Sequence, residues 1–70
     1  MTYAAAKQHY ATVANTARSS IQLFTSIELA QSAAQRGDKR QMVVLGEDGW
    51  VIVSTPRVTE ALVKAGYQYA

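Results

Sequence analysis

The sequence predicts a small α+β domain of order α-α-β-β-α, with one antiparallel β-hairpin packed on helices. Three observations lead there. The first half is rich in Ala and Gln, and no Gly or Pro precedes Gly37, so helix is favoured by propensity. Residues 42–54, MVVLGEDGWVIVS, set two apolar runs about an Asp-Gly turn, among the strongest short hairpin signals. Thr55-Pro56, followed by Val58, Ala61, Leu62 and Ala65, then marks a last helix. The 70 residues form a single domain, residues 1–70, without internal repeat or linker.

The first helix is expected to start at Thr2 as N-cap. Its apolar stripe runs through Ala6, Tyr10, Val13, Ala17, Ile21 and Phe24, within about 60° of one direction at helical pitch. Gln8, Thr12, Asn15, Ser19 and Gln22 fall opposite. The stripe loses phase at Glu28 and Gln31, where Thr25 and Glu28 have the spacing of a capping box. Phe24 and Leu29 are placed to staple it, so a second helix is expected over 26–36, stopped by a left-handed Gly37. Two alternatives are one kinked helix over 2–36 and a short strand over SIQLF, residues 20–24.

The hairpin is expected to pair 42–45 with 50–54. With a two- or four-residue loop, Val43, Leu45, Trp50 and Ile52 share one face, and Met42, Val44, Val51 and Val53 the other. Both faces are apolar, and a chain this short has little to cover them with. The second face is therefore expected to be a protein interface formed by Val44, Val51, Val53 and Met42, unless the last helix covers it. A first helix of about 20 residues would span about 30 Å, long for so small a globule. Both features point to a homodimer or to a larger protein partner. The last helix, capped by Thr55 with Pro56 at its first position, ends at Gly66, leaving Tyr67 and Tyr69 in a tail.

Composition narrows the functional classes. Cysteine is absent and His9 is the single histidine, so disulfides, thiolate metal sites and structural zinc are not expected. The N-terminus shows no signal-peptide pattern and no segment has the length of an apolar membrane span, so a cytoplasmic protein is expected. Net charge is only +2, but residues 1–27 carry Lys7 and Arg18 without any acid. No catalytic constellation emerges. His9 and Ser19 lie on different sides of the first helix, Glu47 and Asp48 are neighbours in a turn, and GEDG lacks the Lys and Ser/Thr of a phosphate loop. Arg36-Gly37-Asp38 is explained by a helix end rather than by adhesion.

The expected function is therefore that of a small non-catalytic binding or regulatory protein without cofactor. By analogy of size and composition, it would be a phage- or mobile-element-type accessory product that inhibits or modulates a larger machine by occupying its surface. The alternative is a nucleic-acid-binding regulator using Arg36, Lys39 and Arg40 of the basic 36–40 loop, with Arg57, Lys64, Tyr67 and Tyr69 in support.

Overall fold

The structure, a computed structural model, describes residues 1–37 and 40–70. Its elements are α1 (Tyr3–Ala14), a 3₁₀ turn (Arg18–Ser20), β1 (Gln22–Phe24), α2 (Ile27–Arg36), β2 (Met42–Leu45), β3 (Val51–Ser54), α3 (Pro56–Lys64) and β4 (Gln68–Tyr69). The mixed α+β fold and the order of helices and hairpin agree with expectation. Two short strands join the hairpin to make a four-stranded antiparallel sheet of order β1-β3-β2-β4.

The first helix is shorter than its apolar stripe. Thr2 caps it as expected, its hydroxyl accepting from the Ala5 N–H at 3.2 Å. Asn15 adopts the left-handed conformation (φ 54°, ψ 52°) and stops it. The Thr16 N–H then bonds the Ala11 carbonyl at 2.9 Å and the Asn15 N–H bonds Thr12 at 3.1 Å, the two bonds of a Schellman terminus. Ile21 and Phe24 thus leave the helical stripe. Ile21 is buried beside the end of the 3₁₀ turn, and the 20–24 segment holds the short strand β1. Twelve residues span about 18 Å, which fits a molecule measuring 25 × 22 × 21 Å, so helix length no longer argues for a dimer.

The second helix begins one residue later than the capping-box spacing indicates. Phe24 still pairs with Val51, so Thr25 is needed to leave the strand. Ser26 is the N-cap, accepting from the Leu29 N–H at 3.3 Å and donating to the Glu28 carboxylate at 2.7 Å. That hydroxyl holds the Glu28 carboxyl below its ordinary pKa. Leu29 is exposed and staples nothing. Gly37 ends the helix in extended backbone (φ −84°, ψ 159°), not in the left-handed form. Ser26→Ala is expected to cost about 1 kcal/mol, whereas Thr25→Ala should lie within about 0.5 kcal/mol of wild type. Equilibrium denaturation of the two variants checks this.

The hairpin's pairing overturns the expected faces. Leu45 lies opposite Val51, Val44 opposite Ile52, and Val43 opposite Val53. Asp48 (φ 56°) and Gly49 (φ 81°) form the expected tight turn, closed by the Trp50 N–H on the Glu47 carbonyl at 3.0 Å. However, the Gly46 N–H also bonds the Trp50 carbonyl at 2.8 Å, so Gly46 and Glu47 both oppose Trp50. This is a β-bulge, and the extra residue shifts the register by one. Every side chain on one strand changes face relative to the other. Val44 and Ile52 share one face; Val43, Leu45, Val51 and Val53 share the other.

Three layers result. On one face, Leu23, Val44 and Ile52 pack with Ala6, Tyr10 and Ala11 of α1 and with Val58 and Leu62 of α3. On the other, Val51 and Val53 pack under Ala30 of α2, with Phe24, Ala34 and Val43 at the margin. The face expected to await a second chain is covered by α2, whose small alanines allow close approach. The last helix covers the opposite face. It starts at Pro56 as expected, but the Thr55 hydroxyl makes no cap bond. Beneath it the buried Ser54 and Thr59 hydroxyls satisfy one another at 2.8 Å. Gly66 (φ 115°) turns the chain back, so that Tyr69 pairs with Val44 at the sheet's far edge.

Candidate functional site

The residues expected to form a protein interface are not a surface. Val44 and Val53 are fully buried, Val51 is 4% exposed, and Met42 is half-buried. Val44 faces α1 and α3 while Val51 and Val53 face α2, so they do not even share a face. Of the basic residues 36–40, Arg36 ends α2 and is exposed, and Arg40 is also exposed. Lys39, like Asp38, lies outside the described residues.

A polar cluster that spacing did not reveal sits where α1, the hairpin turn and the tail meet. The Glu47 carboxylate accepts from the Tyr67 hydroxyl at 3.1 Å and lies 3.2 Å from His9 Nε2. His9 Nε2 is also 3.2 Å from the Tyr67 hydroxyl. Beneath them the Tyr10 hydroxyl accepts the Glu47 N–H at 2.7 Å, and its ring meets Tyr67 edge-to-face at 5.5 Å. The residues come from positions 9–10, 47 and 67, which no local pattern connects. The one sequence hint was that His9 adjoins Tyr10, a residue of the apolar stripe.

The cluster ties the hairpin turn to α1 and to the tail. Burial, then the hydrogen bond to Glu47, push the Tyr67 hydroxyl up to about 12 from its ordinary 10.0. Burial likewise raises Tyr10. The Tyr67 hydroxyl donates to the Glu47 carboxylate, and the Tyr10 hydroxyl accepts the Glu47 N–H. Because the folded-state pKa is raised, Tyr67 binds its proton more tightly in the folded than in the unfolded chain. Its contribution to stability is complete below pH 10 and is lost as pH rises through about 12. Tyr67→Phe should therefore lose less stability than wild type between pH 9 and about 11.5, as read by urea denaturation at each pH. An equal loss in both proteins would refute this.

The second feature is an open sheet edge. β1 is the outer strand beside β3, and among the described residues its outward backbone groups have no hydrogen-bond partner. A groove runs along this edge, with Tyr3 of α1 on one side and Ala33 and Arg36 of α2 on the other. Past Tyr3 it continues into a hollow lined by Ala4, Lys7, Arg18 and Ser19. Tyr3 is half exposed, stands edge-on to Trp50 at 5.8 Å, and carries the Lys7 ammonium 5.7 Å above its ring. No carboxylate among the described residues lines either hollow. Among the described residues Lys7, Arg18 and Arg36 form no ion pair, in contrast to Lys64, which meets Glu60 at 3.4 Å. The acid-free stretch 1–27 was visible in the sequence. That it borders an unpaired strand was not.

Among the described residues there is no group of three or more His, Asp or Glu side chains that could hold a metal ion. Nor is any described helix long and apolar enough to cross a membrane. The fold and site define a three-layer α+β domain with an open, cation-bordered sheet edge. No family model, curated protein or solved structure matches the chain.

Proposed function

We propose that this chain is a small non-catalytic binding protein that acts by occupying a surface of a larger protein. The observation that supports it is the unpaired edge of β1, bordered by Lys7, Arg18 and Arg36. An exposed strand edge is a template for another chain. The polar cluster around Glu47 supports the non-catalytic part, since each hydroxyl in it is engaged in holding the turn. Size and cysteine-free composition are in keeping with an accessory product of a phage or mobile element that inhibits or modulates a larger machine.

The test is affinity capture from nuclease-treated lysate of the source cell, with cross-linking and mass spectrometry. Recovery of a stoichiometric protein partner is expected. The alternative, a nucleic-acid-binding regulator using the basic 36–40 loop, draws on Arg36, which borders the same groove, and on the exposed Arg40. It predicts capture that disappears with nuclease and affinity that falls steeply with salt. If the protein captures nothing with or without nuclease, the binding role is refuted.

A further inference from the structure

We propose that the β1 edge takes up an extended, acidic segment of a partner protein as an added strand of the sheet. This rests on the binding role proposed above and names the chemistry of its partner.

The occupant follows from two features of the edge. First, β1 is extended backbone already held flat by pairing with Val51, Ile52 and Val53, and its register turns the N–H and C=O of Leu23 outward. The natural complement of such an edge is another extended peptide backbone. A nucleic acid has no matching row of alternating amides. Second, the edge lies between two layers that both present cations. Arg36 belongs to α2 on one face of the sheet, and Lys7 belongs to α1 on the other, with Arg18 just before the strand. Side chains of an added strand point alternately to the two faces. Acidic residues at either parity would therefore meet a cation, and among the described residues no carboxylate lines the groove to compete for them.

The same charges disfavour a second copy. Two chains joined through β1 would bring Lys7, Arg18 and Arg36 of each against those of the other, with no acid among the described residues of either groove to relieve them. Apolar contact is available to the partner from Tyr3 and from Phe24, which is only half-buried at the margin of the α2 layer.

The test is selection of a random ten-residue peptide library, by mRNA display, on the intact protein. Enrichment of Asp and Glu with β-branched residues, and depletion of Pro, is expected. Titration of the best peptide into the isotopically labelled protein should shift the amides of Gln22, Leu23 and Phe24 and slow hydrogen exchange at Leu23, whose N–H faces the open edge. Methylating alternate backbone nitrogens of that peptide should remove binding on one of the two methylation patterns. Arg36→Gln, at an exposed helix end, should leave the fold intact and weaken binding by up to about fivefold.

Selection of basic or proline-rich peptides, shifts confined to residues away from β1, or full binding by both methylated patterns would each overturn the proposal. So would an empty selection, or displacement of the peptide from β1 by oligo(dT) at equal concentration. If lysate capture yields a partner whose cross-links avoid Lys7 while the peptide results fail, only the strand-addition proposal falls. If lysate capture itself fails, the binding role falls with it.

Discussion

Val53→Lys is expected to abolish the folded state at 25 °C. Val53 is fully buried between β3 and α2, where its neighbours are Val51, Ala30 and the margins of Phe24, Ala34 and Val43. Losing the buried valine removes about 1.5–3 kcal/mol. An ammonium there has no carboxylate among those neighbours, and an unpaired buried charge adds several kcal/mol more. A domain of this size rarely has more than about 3–5 kcal/mol to lose. Far-UV circular dichroism and one-dimensional NMR should show an unfolded chain. Val51→Lys should be less severe, because Val51 also borders a surface hollow beside Trp50 and Leu45 through which the ammonium can reach water. Leu29→Lys, at an exposed position of α2, should stay within about 0.5 kcal/mol of wild type. A cooperatively folded Val53→Lys with near-native stability would show that α2 does not cover this face.

Gly46→Ala is expected to destabilise the protein by about 2–3 kcal/mol, near the upper end of overpacking costs. The reason is proximity. A Cβ at Gly46 would sit 2.7 Å from the Tyr10 hydroxyl and 3.0 Å from both the Tyr10 ring carbon Cζ and the Trp50 carbonyl. Tyr10 is fully buried and cannot swing aside, and its hydroxyl is the acceptor for the Glu47 N–H. The new methyl therefore displaces the bond that stabilises the bulge. In a Tyr10→Phe background the same substitution should cost less, though not zero, because Cζ and the Trp50 carbonyl remain. A double-mutant cycle by urea denaturation measures this coupling. Additive effects would mean that the tyrosine hydroxyl and Gly46 do not share the space.

These two positions mark where local reasoning about the hairpin stopped. Asp48-Gly49 was legible as a turn, and two β-branched runs were legible as its strands, because both signals are carried by residues adjacent in the chain. The pairing between them was not. It depends on Glu47 turning its N–H away from β3 to a tyrosine 37 positions earlier, which inserts the bulge and moves the register by one. One hydrogen bond from another layer thereby decided which valines face which helices. The expected interface of Val44, Val51, Val53 and Met42 came from the opposite parity and from α2 having been given no sheet to cover.

The candidate site divides in the same way. The surplus of Lys7 and Arg18 over acids in the first 27 residues is a property of composition and needs no structure to see. Its position beside an unpaired strand arises because Asn15 ends α1 early, which frees residues 22–24 to pair with β3. A helical stripe continuing through Ile21 and Phe24 is locally sensible, since those residues are apolar at the right spacing. Pairing of 22–24 with β3 instead places Ile21 in the core and leaves Phe24 half-buried at the α2 margin. By itself the sequence determined the α+β class, the Thr2 cap, the Asp-Gly turn and the Pro56 helix start, all set by forces acting within a few residues. The tertiary structure alone decided the sheet's edge strands, its register and the cluster of His9, Glu47 and Tyr67, because each is a contact between distant segments whose strength depends on what the rest of the chain brings near.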